Sequence, residues 1–460
     1  MNIRTALTFL LVLLLVPLAL PAAEAAKPNV LLIVADDVGW ADVGYHNAEI
    51  RTPNLDALVR AGVNLNQQYV MPQCTPTRVA LMTGRYPSRY GPHCTQASGE
   101  HAYPFGTPTM ASLLSGAGYD TALIGKWHMG SKLEWAPNRH GFTYSYGTMD
   151  GAVGAYSHRY RKDAQSWHRD NAYIEEEGHV TDLIEKEAVK WLQRERQGRP
   201  FFLYLPFTAP HTPLVEEARW LDANKHIEDE SRRLFAAAVT HMDAAIGNVL
   251  AALDKSGQRD NTLIIFTSDN GGIHTAYKGA NYPPPDPALK AGFSKNTPLR
   301  GGKGDLYEGG IRVPAFVVWP GKLKPRKHDA SMHAIDWLPT IAGIVGFPAD
   351  PLWDGCNVLG QLRGEAAAEP RELYWVWHEF RRWEGIRCGA WKLIRNNPQP
   401  EVSKEPGAWQ LFDLAGDPTE KSDRAAAEPE RVKELAARFE KQKAKDNLKR
   451  MEGKSSDSNP

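Results

Sequence analysis

Asn29-Val30-Leu31-Leu32-Ile33-Val34-Ala35 is an unbroken apolar run that stops at the carboxylate pair Asp36-Asp37. A strand with one wet face alternates apolar and polar side chains. This run does not alternate, so both of its faces are buried, as in a parallel sheet covered on each side by helices. Similar runs recur at residues 121–124, 201–207, 263–267 and 315–319, and helical periodicity fills residues 55–61, 109–116, 181–194 and 231–252. The alternation predicts an α/β fold, with a large mixed, mostly parallel sheet sandwiched by helices. Ligands of such sheets bind beyond the carboxyl ends of the strands, so the polar residues just after each run are the ones to inspect.

Composition excludes several classes. Over 460 residues, 54 Lys+Arg balance 54 Asp+Glu, so no basic face neutralises a row of phosphates and no nucleic-acid partner is expected. An anionic ligand must instead be gripped by a few local cations. Four cysteines with no CxxC pair are too few for a disulfide scaffold and do not suggest a zinc site. Residues 1–25 read as a signal peptide: Arg4 gives a basic start, residues 6–20 are apolar, and Ala23-Glu24-Ala25 fits a peptidase site. Pro17 and the shortness of the run argue against a retained anchor, and no later stretch is expected to span a membrane. The chain is therefore expected to be secreted or periplasmic. Asn-x-Ser/Thr does not occur after the signal, which favours a bacterial route over a glycosylating one.

Residues 26–336 are read as the main domain. From Trp337 the texture changes to short strand-like pieces around Trp375, Trp377, Trp383, Trp391 and Trp409, followed by a charged amphipathic stretch at 428–451. This predicts a smaller C-terminal α+β subdomain over residues 337–451 containing an antiparallel sheet, and a disordered tail at 452–460. Pro283-Pro284-Pro285 marks a long surface loop.

Two strand ends carry hard oxygen donors, Asp36-Asp37 after the first run and Asp269-Asn270 after the run at 263–267. Such a set suits Ca²⁺ or Mg²⁺, not zinc. Neighbours on a strand point to opposite faces, so both aspartates reach one ion only where the chain turns; Gly271-Gly272 would permit such a turn at the other strand end. Gln73-Cys74-Thr75-Pro76-Thr77-Arg78 places Cys74 at or just before a helix N-terminus, where free amides favour an anion, with Arg78 one turn on. At ordinary residue frequencies, C-x-P-x-R arises by chance in roughly 1% of chains with this cysteine content.

On these residues the chain resembles the sulfatases, the formylglycine-dependent branch of the alkaline phosphatase superfamily. Cys74-Thr75-Pro76-Thr77-Arg78 with Thr83-Gly84-Arg85-Tyr86 is similar to the family signature, and Gly125-Lys126-Trp127-His128-Met129-Gly130 to its second motif. Ala209-Pro210-His211, Ser268-Asp269-Asn270-Gly271-Gly272, Gly301-Gly302-Lys303 and Leu411-Phe412-Asp413-Leu414 extend the likeness to the C-terminal region. The resemblance implies that Cys74 is oxidised to Cα-formylglycine by a separate maturation enzyme. It also implies that Asp36, Asp37, Asp269, Asn270 and the modified Cys74 bind Ca²⁺, and that Lys126 and Lys303 hold the sulfate oxygens. Arg78 would fix the formylglycine, His128 would bond its hydroxyl, and His211 would serve the leaving alcohol. The implied nucleophile is an aldehyde hydrate. One hydroxyl attacks sulfur and the second eliminates sulfate, a release step a thiolate lacks.

The stretch from Ala35 to Gly44 looks most like the arylsulfatase B or N-acetylgalactosamine-4-sulfatase group, which implies a sulfated saccharide substrate. Two alternatives remain at this point: a phosphonate monoester or phosphodiester hydrolase of the same superfamily, and an unmodified polysaccharide-binding protein. His274, and His378 with Arg382, are further candidates for substrate contact. The C-terminal tryptophans could stack on sugars or simply pack a small core. Cys94, Cys356 and Cys388 allow one internal disulfide at most, Cys356 with Cys388 being conceivable, or none.

Overall fold

The computed structural model describes residues 27–279, 287–378, 382–397 and 406–448. The signal peptide, the triproline and the C-terminal tail expected from the sequence lie outside these. Ten strands make the main sheet: β1 (Asn29–Ala35), β2 (Val63–Leu65), β3 (Asp120–Lys126), β4 (Tyr144–Thr148), β5 (Trp167–Arg169), β6 (Ala172–Tyr173), β7 (Phe201–Pro206), β8 (Thr262–Ser268), β9 (Ala315–Val318) and β10 (Arg326–His328). They lie side by side as β10-β2-β9-β8-β1-β7-β3-β4-β5-β6. The five central strands from β8 to β4 are parallel. Towards one edge, β9 runs antiparallel to β8 and β2 antiparallel to β9.

β1 sits in the middle, with Ile33 opposite Leu205 on one side and Phe266 on the other, and all seven of its residues are buried. Its side chains divide between the two faces as a strand requires. Leu31 and Ile33 pack with α1 (Pro53–Ala61), α4 (Val180–Leu192) and α6 (Glu230–Lys255), while Val30, Leu32 and Val34 join a core containing α2 (Cys74–Thr83) and α3 (Met110–Gly116). Thr109 closes a capping box with Ser112 at the start of α3, which satisfies amides the first helical turn leaves open.

By length and composition α6 is apolar enough to cross a membrane, contrary to the expectation that no later stretch is. Its apolar side chains Met242, Ile246, Val249 and Leu253 are buried against the sheet, as expected of a core helix.

The expected antiparallel sheet is present as β11 (Glu372–Trp377), β12 (Trp383–Cys388), β13 (Trp391–Arg395) and β14 (Gln410–Asp413) in sequential order. Leu373, Trp375, Ile386 and Leu411 share one hydrophobic core with α2 and with the helix Trp337–Ile344. A buried ionic knot also joins the C-terminal sheet to the main domain. Lys392 on β13 reaches Glu308 at 2.8 Å and Glu420 at 2.5 Å, all three without solvent contact, and the Tyr69 hydroxyl donates to Glu308 at 2.6 Å. Removing one member strands buried charge, which costs about 3–5 kcal/mol. Lys392→Met is expected to lower unfolding stability by that amount in urea titration. A change under 1 kcal/mol would contradict the proposed importance of the knot.

Candidate active site

The strand ends bring the carboxylates together. The Asp269 amide bonds Ala35 O at 3.0 Å, so the chain beyond β8 continues alongside β1, and the Asp37 amide donates to Asp269 Oδ1 at 3.3 Å. Asp37 itself makes the turn, in the left-handed region at φ 70. That conformation is uncommon outside glycine, although aspartate tolerates it, and it releases Asp37 from the face-by-face alternation of the strand. The two glycines play a different part from the one expected. Neither has positive φ, and a Cβ at Gly271 would stand 1.8 Å from Gly309 O, so that position is needed for close approach of two backbone segments.

Three cations meet three buried carboxylates. Arg78 donates to Asp269 Oδ2 through Nη2 at 2.8 Å and Nε at 3.2 Å, and to Lys126 O at 2.9 Å. Lys126, the last residue of β3, reaches Asp36 at 2.5 Å, and Lys303 reaches Asp37 at 2.7 Å. Burial, reinforced by Asp269, pushes the Asp36 carboxyl up to about 7. For Asp37 the charges of Lys303 and His211 outweigh burial and hold it near about 2. Cys74 is the first residue of α2, with Sγ 3.5 Å from Asp36 Oδ1. Burial and Asp269 raise its thiol well above the usual range, so the unmodified residue is held as a thiol and not as a thiolate nucleophile.

His128 and His211 border the same cavity of about 370 Å³ as Cys74 and Lys303. His128 has φ 54 and a buried Nδ1 without a hydrogen-bond partner in the structure. Gly151 faces its ring so closely that a Cβ there would lie 2.6 Å from Nε2. His211 Nε2 stands 3.6 Å from Asp37 Oδ2 with its side chain 19% exposed; burial and Lys303 lower it to about 3. Asn270 donates to Asp37 Oδ1 at 2.6 Å, while its own Oδ1 is buried with no partner. Asp36, Asp37, Cys74 and His211 each offer a ligand atom within 4.8 Å of the others. An orphaned amide oxygen among carboxylates fits a hard cation.

Comparison with known proteins shows the family. The sulfatase profile matches residues 28–347, and a profile for the C-terminal part of N-sulphoglucosamine sulphohydrolase matches residues 302–448. The chain belongs to the sulfatase family. It is a sulfuric ester hydrolase, 30% identical to mouse arylsulfatase J over 91% of this chain and 76% of that protein. Human N-acetylgalactosamine-6-sulfatase is also 30% identical, over 79% and 74% respectively. The crystal structure of Ps i-CgsB in complex with k-i-k-neocarrahexaose superposes with a TM-score of 0.78 at 30% identity, covering 92% of this chain and 94% of that one. The architecture is that of the alkaline phosphatase-like sulfatases.

Of the other candidates in this sulfatase, His274 is 43% exposed and 3.6 Å from Asp305. It lines an adjoining cavity with Gln73, Lys303 and Trp377. His378 and Arg382 are exposed beside the β11–β12 connection, outside both cavities. Trp375 and Trp383 are buried, so packing accounts for them, whereas Trp377, though also buried, borders the cavity that holds His274. All four cysteines are free, which removes the Cys356–Cys388 disulfide.

The sequence did not single out the supports of the His211 loop. His241 on α6 contacts Glu216 at 2.9 Å and Asp182 at 3.1 Å, and His179 Nε2 bonds Val215 O at 3.0 Å. Burial opposes charge on His241, but Glu216 and Asp182 outweigh it and raise its pKa. A histidine with a raised folded pKa contributes stability that is complete below about pH 6.5 and disappears as pH climbs through the folded value. His241→Gln should therefore be less stable than the parent below pH 6.5 and draw level in alkaline buffer. Thermal unfolding at several pH values measures this; a difference independent of pH would contradict it.

Proposed function

We propose that this sulfatase releases inorganic sulfate from a sulfated carbohydrate, N-acetylgalactosamine-4-sulfate or a related glycosaminoglycan or galactose-based polysaccharide unit, with Cys74 converted to formylglycine and Ca²⁺ as its metal. The observation that carries the reading is the single cavity in which Cys74, His128, His211 and Lys303 converge. The relative named N-acetylgalactosamine-6-sulfatase and the oligosaccharide-bound neighbour support the substrate class, while the 4-position rests on the likeness of residues 35–44. Asp36, Asp37, Asp269 and Asn270 would hold the cation together with residue 74. Such an ion would withdraw charge from sulfate oxygens, and a formylglycine hydrate at residue 74 would supply both the attacking oxygen and the hydroxyl that later expels sulfate.

The chain's own groups do the rest. Lys126 and Lys303 are paired with Asp36 and Asp37 here; with a cation held by those carboxylates, the two ammonium groups would be available to an anion. Arg78 keeps Asp269 oriented with two hydrogen bonds to one oxygen. His128 is held neutral by burial and by Lys126, so it can accept a hydrogen bond from the hydroxyl of residue 74. His211, at the mouth of the cavity, is held unprotonated by burial and Lys303; an anionic sulfate ester bound at Lys303 offsets that charge and raises the histidine's pKa, which lets it carry the proton the departing alcohol needs. Export through the N-terminal segment to the periplasm or exterior, and maturation by a separate oxidising enzyme, complete the proposal.

Cys74→Ala should lower kcat by about 10⁴-fold or more while leaving the circular dichroism spectrum unchanged, because the nucleophile is gone. Retained turnover would exclude residue 74 as nucleophile. Chelation should abolish activity on saccharide and aryl sulfates, and Ca²⁺ should restore it; recovery with a transition metal alone contradicts the metal assignment. Between N-acetylgalactosamine 4-sulfate and 6-sulfate, the higher kcat/KM is expected on the former. The reverse order moves the assignment to the 6-position.

A further inference from the structure

The cavity over Cys74 is larger than a sulfate group requires, and its far side is built by a hairpin the chemistry above does not use. Strands Arg159–Tyr160 and Ala164–Gln165 pair antiparallel, and the tip turns through Lys162 at φ 57 and Asp163 at φ 62. The hairpin is anchored at its base. Arg159 pairs with Glu175, the Gly154 amide donates to Arg159 O at 3.0 Å, and the His158 amide donates to Gly154 O at 3.0 Å. From this anchored hairpin Tyr160 and Arg161 line the cavity together with Lys303 and His211, with the guanidinium 6.0 Å from the Tyr160 ring centroid. Lys162, the next residue, does not line it.

A second cavity of about 350 Å³ shares Gln73 and Lys303 with the first and is lined also by His274, Asp305 and Trp377. Its ionic lining differs: Asp305 belongs to the second cavity and Arg161 to the first. A saccharide bound at Lys303 therefore has a guanidinium in one adjoining cavity and a carboxylate in the other. On a chain of zero net charge this is a local polarity and not part of a general basic surface. Guanidinium is the side chain suited to planar, two-point recognition of carboxylate or sulfate.

We propose that Arg161 is a specificity residue that receives a second anionic group, a carboxylate or a sulfate, on the saccharide unit next to the one being desulfated. The inference rests on the saccharide-sulfatase reading above. An anionic neighbour finds a counter-charge at Arg161, whereas the carboxylate lining the second cavity, Asp305, is buried and accepts from the Gly302 amide at 3.2 Å. Arg161 is assigned to the neighbouring unit and not to the reacting sulfate, so small substrates are not expected to sense it.

The test compares Arg161→Gln, Arg161→Lys and Lys162→Gln with the parent on four substrates. These are an aryl sulfate, and oligosaccharides whose sulfated sugar is flanked by a neutral sugar, a uronate or a second sulfated sugar. Arg161→Gln should raise KM on at least one anionic-neighbour substrate by about 10–100-fold, the range of a charge-assisted hydrogen bond. It should leave kcat/KM on the aryl sulfate and the neutral-flanked sugar within about twofold. Arg161→Lys should recover part of the loss, and Lys162→Gln should change nothing. The uronate and sulfate arms show which anion is read. Equal losses on all four substrates, or none on any, overturn the assignment to Arg161 and leave the substrate reading standing. Parent enzyme that cleaves the aryl sulfate but no saccharide overturns the substrate reading, and this inference with it.

Discussion

Burying three carboxylates within a few ångströms of one another is the constraint on which the site depends. Asp36, Asp37 and Asp269 are all removed from solvent, and charges so placed are tolerated only when cations and hydrogen bonds surround them. Three separate elements meet that demand: α2 supplies Arg78, the end of β3 supplies Lys126, and the loop after β8 supplies Lys303. Because each cation comes from a different part of the chain, the central parallel strands must end in register for the charges to balance. The sheet is thus the frame of the site, and two of the residues that neutralise its carboxylates, Lys126 and Lys303, are those the proposed function gives to the sulfate group.

The C-terminal sheet is tied into the same arrangement and is not a detached appendage. Trp377 on β11 donates its indole N–H to Gln73 Oε1 at 2.8 Å, next to Cys74, and the same oxygen accepts from the Ala97 amide at 3.0 Å. Gln73 precedes α2 in an extended conformation, so these two bonds set how the helix begins. Lys392, Glu308 and Glu420 join the sheet at a second point. A change in the C-terminal region can therefore reach residue 74 through Gln73 without touching the substrate.

Much of this was legible in the sequence because it depends on local pattern. The apolar run of β1 announced burial on both faces, and carboxylates at strand ends announced the donor set; motif likeness then named His128, His211 and Lys303, which line one cavity, and Lys126, which is buried against Asp36. What stayed hidden depends on contacts between distant segments or on dihedral angles. No pattern shows that Asp37 and His128 take positive φ, or that Gly151 must lack a side chain because His128 stands against it. The pairing of His241 with Glu216 and Asp182 joins residues far apart in sequence. The strand β9 reads like its parallel neighbours, since burial on both faces leaves the same apolar signature whichever way a strand runs. The length and apolarity of α6 are masked in the sequence because Thr240, His241, Asp243 and Asn248 interrupt its apolar run.

The most direct test is the mass of the peptide carrying Cys74, taken from active enzyme purified from its native host. Conversion of the thiol to an aldehyde is expected, seen as the corresponding loss of mass and as capture by a carbonyl-reactive hydrazide. An active enzyme whose Cys74 peptide retains an intact thiol throughout would contradict the account, because the buried thiol provides no hydroxyl to attack sulfur and no second hydroxyl to release it.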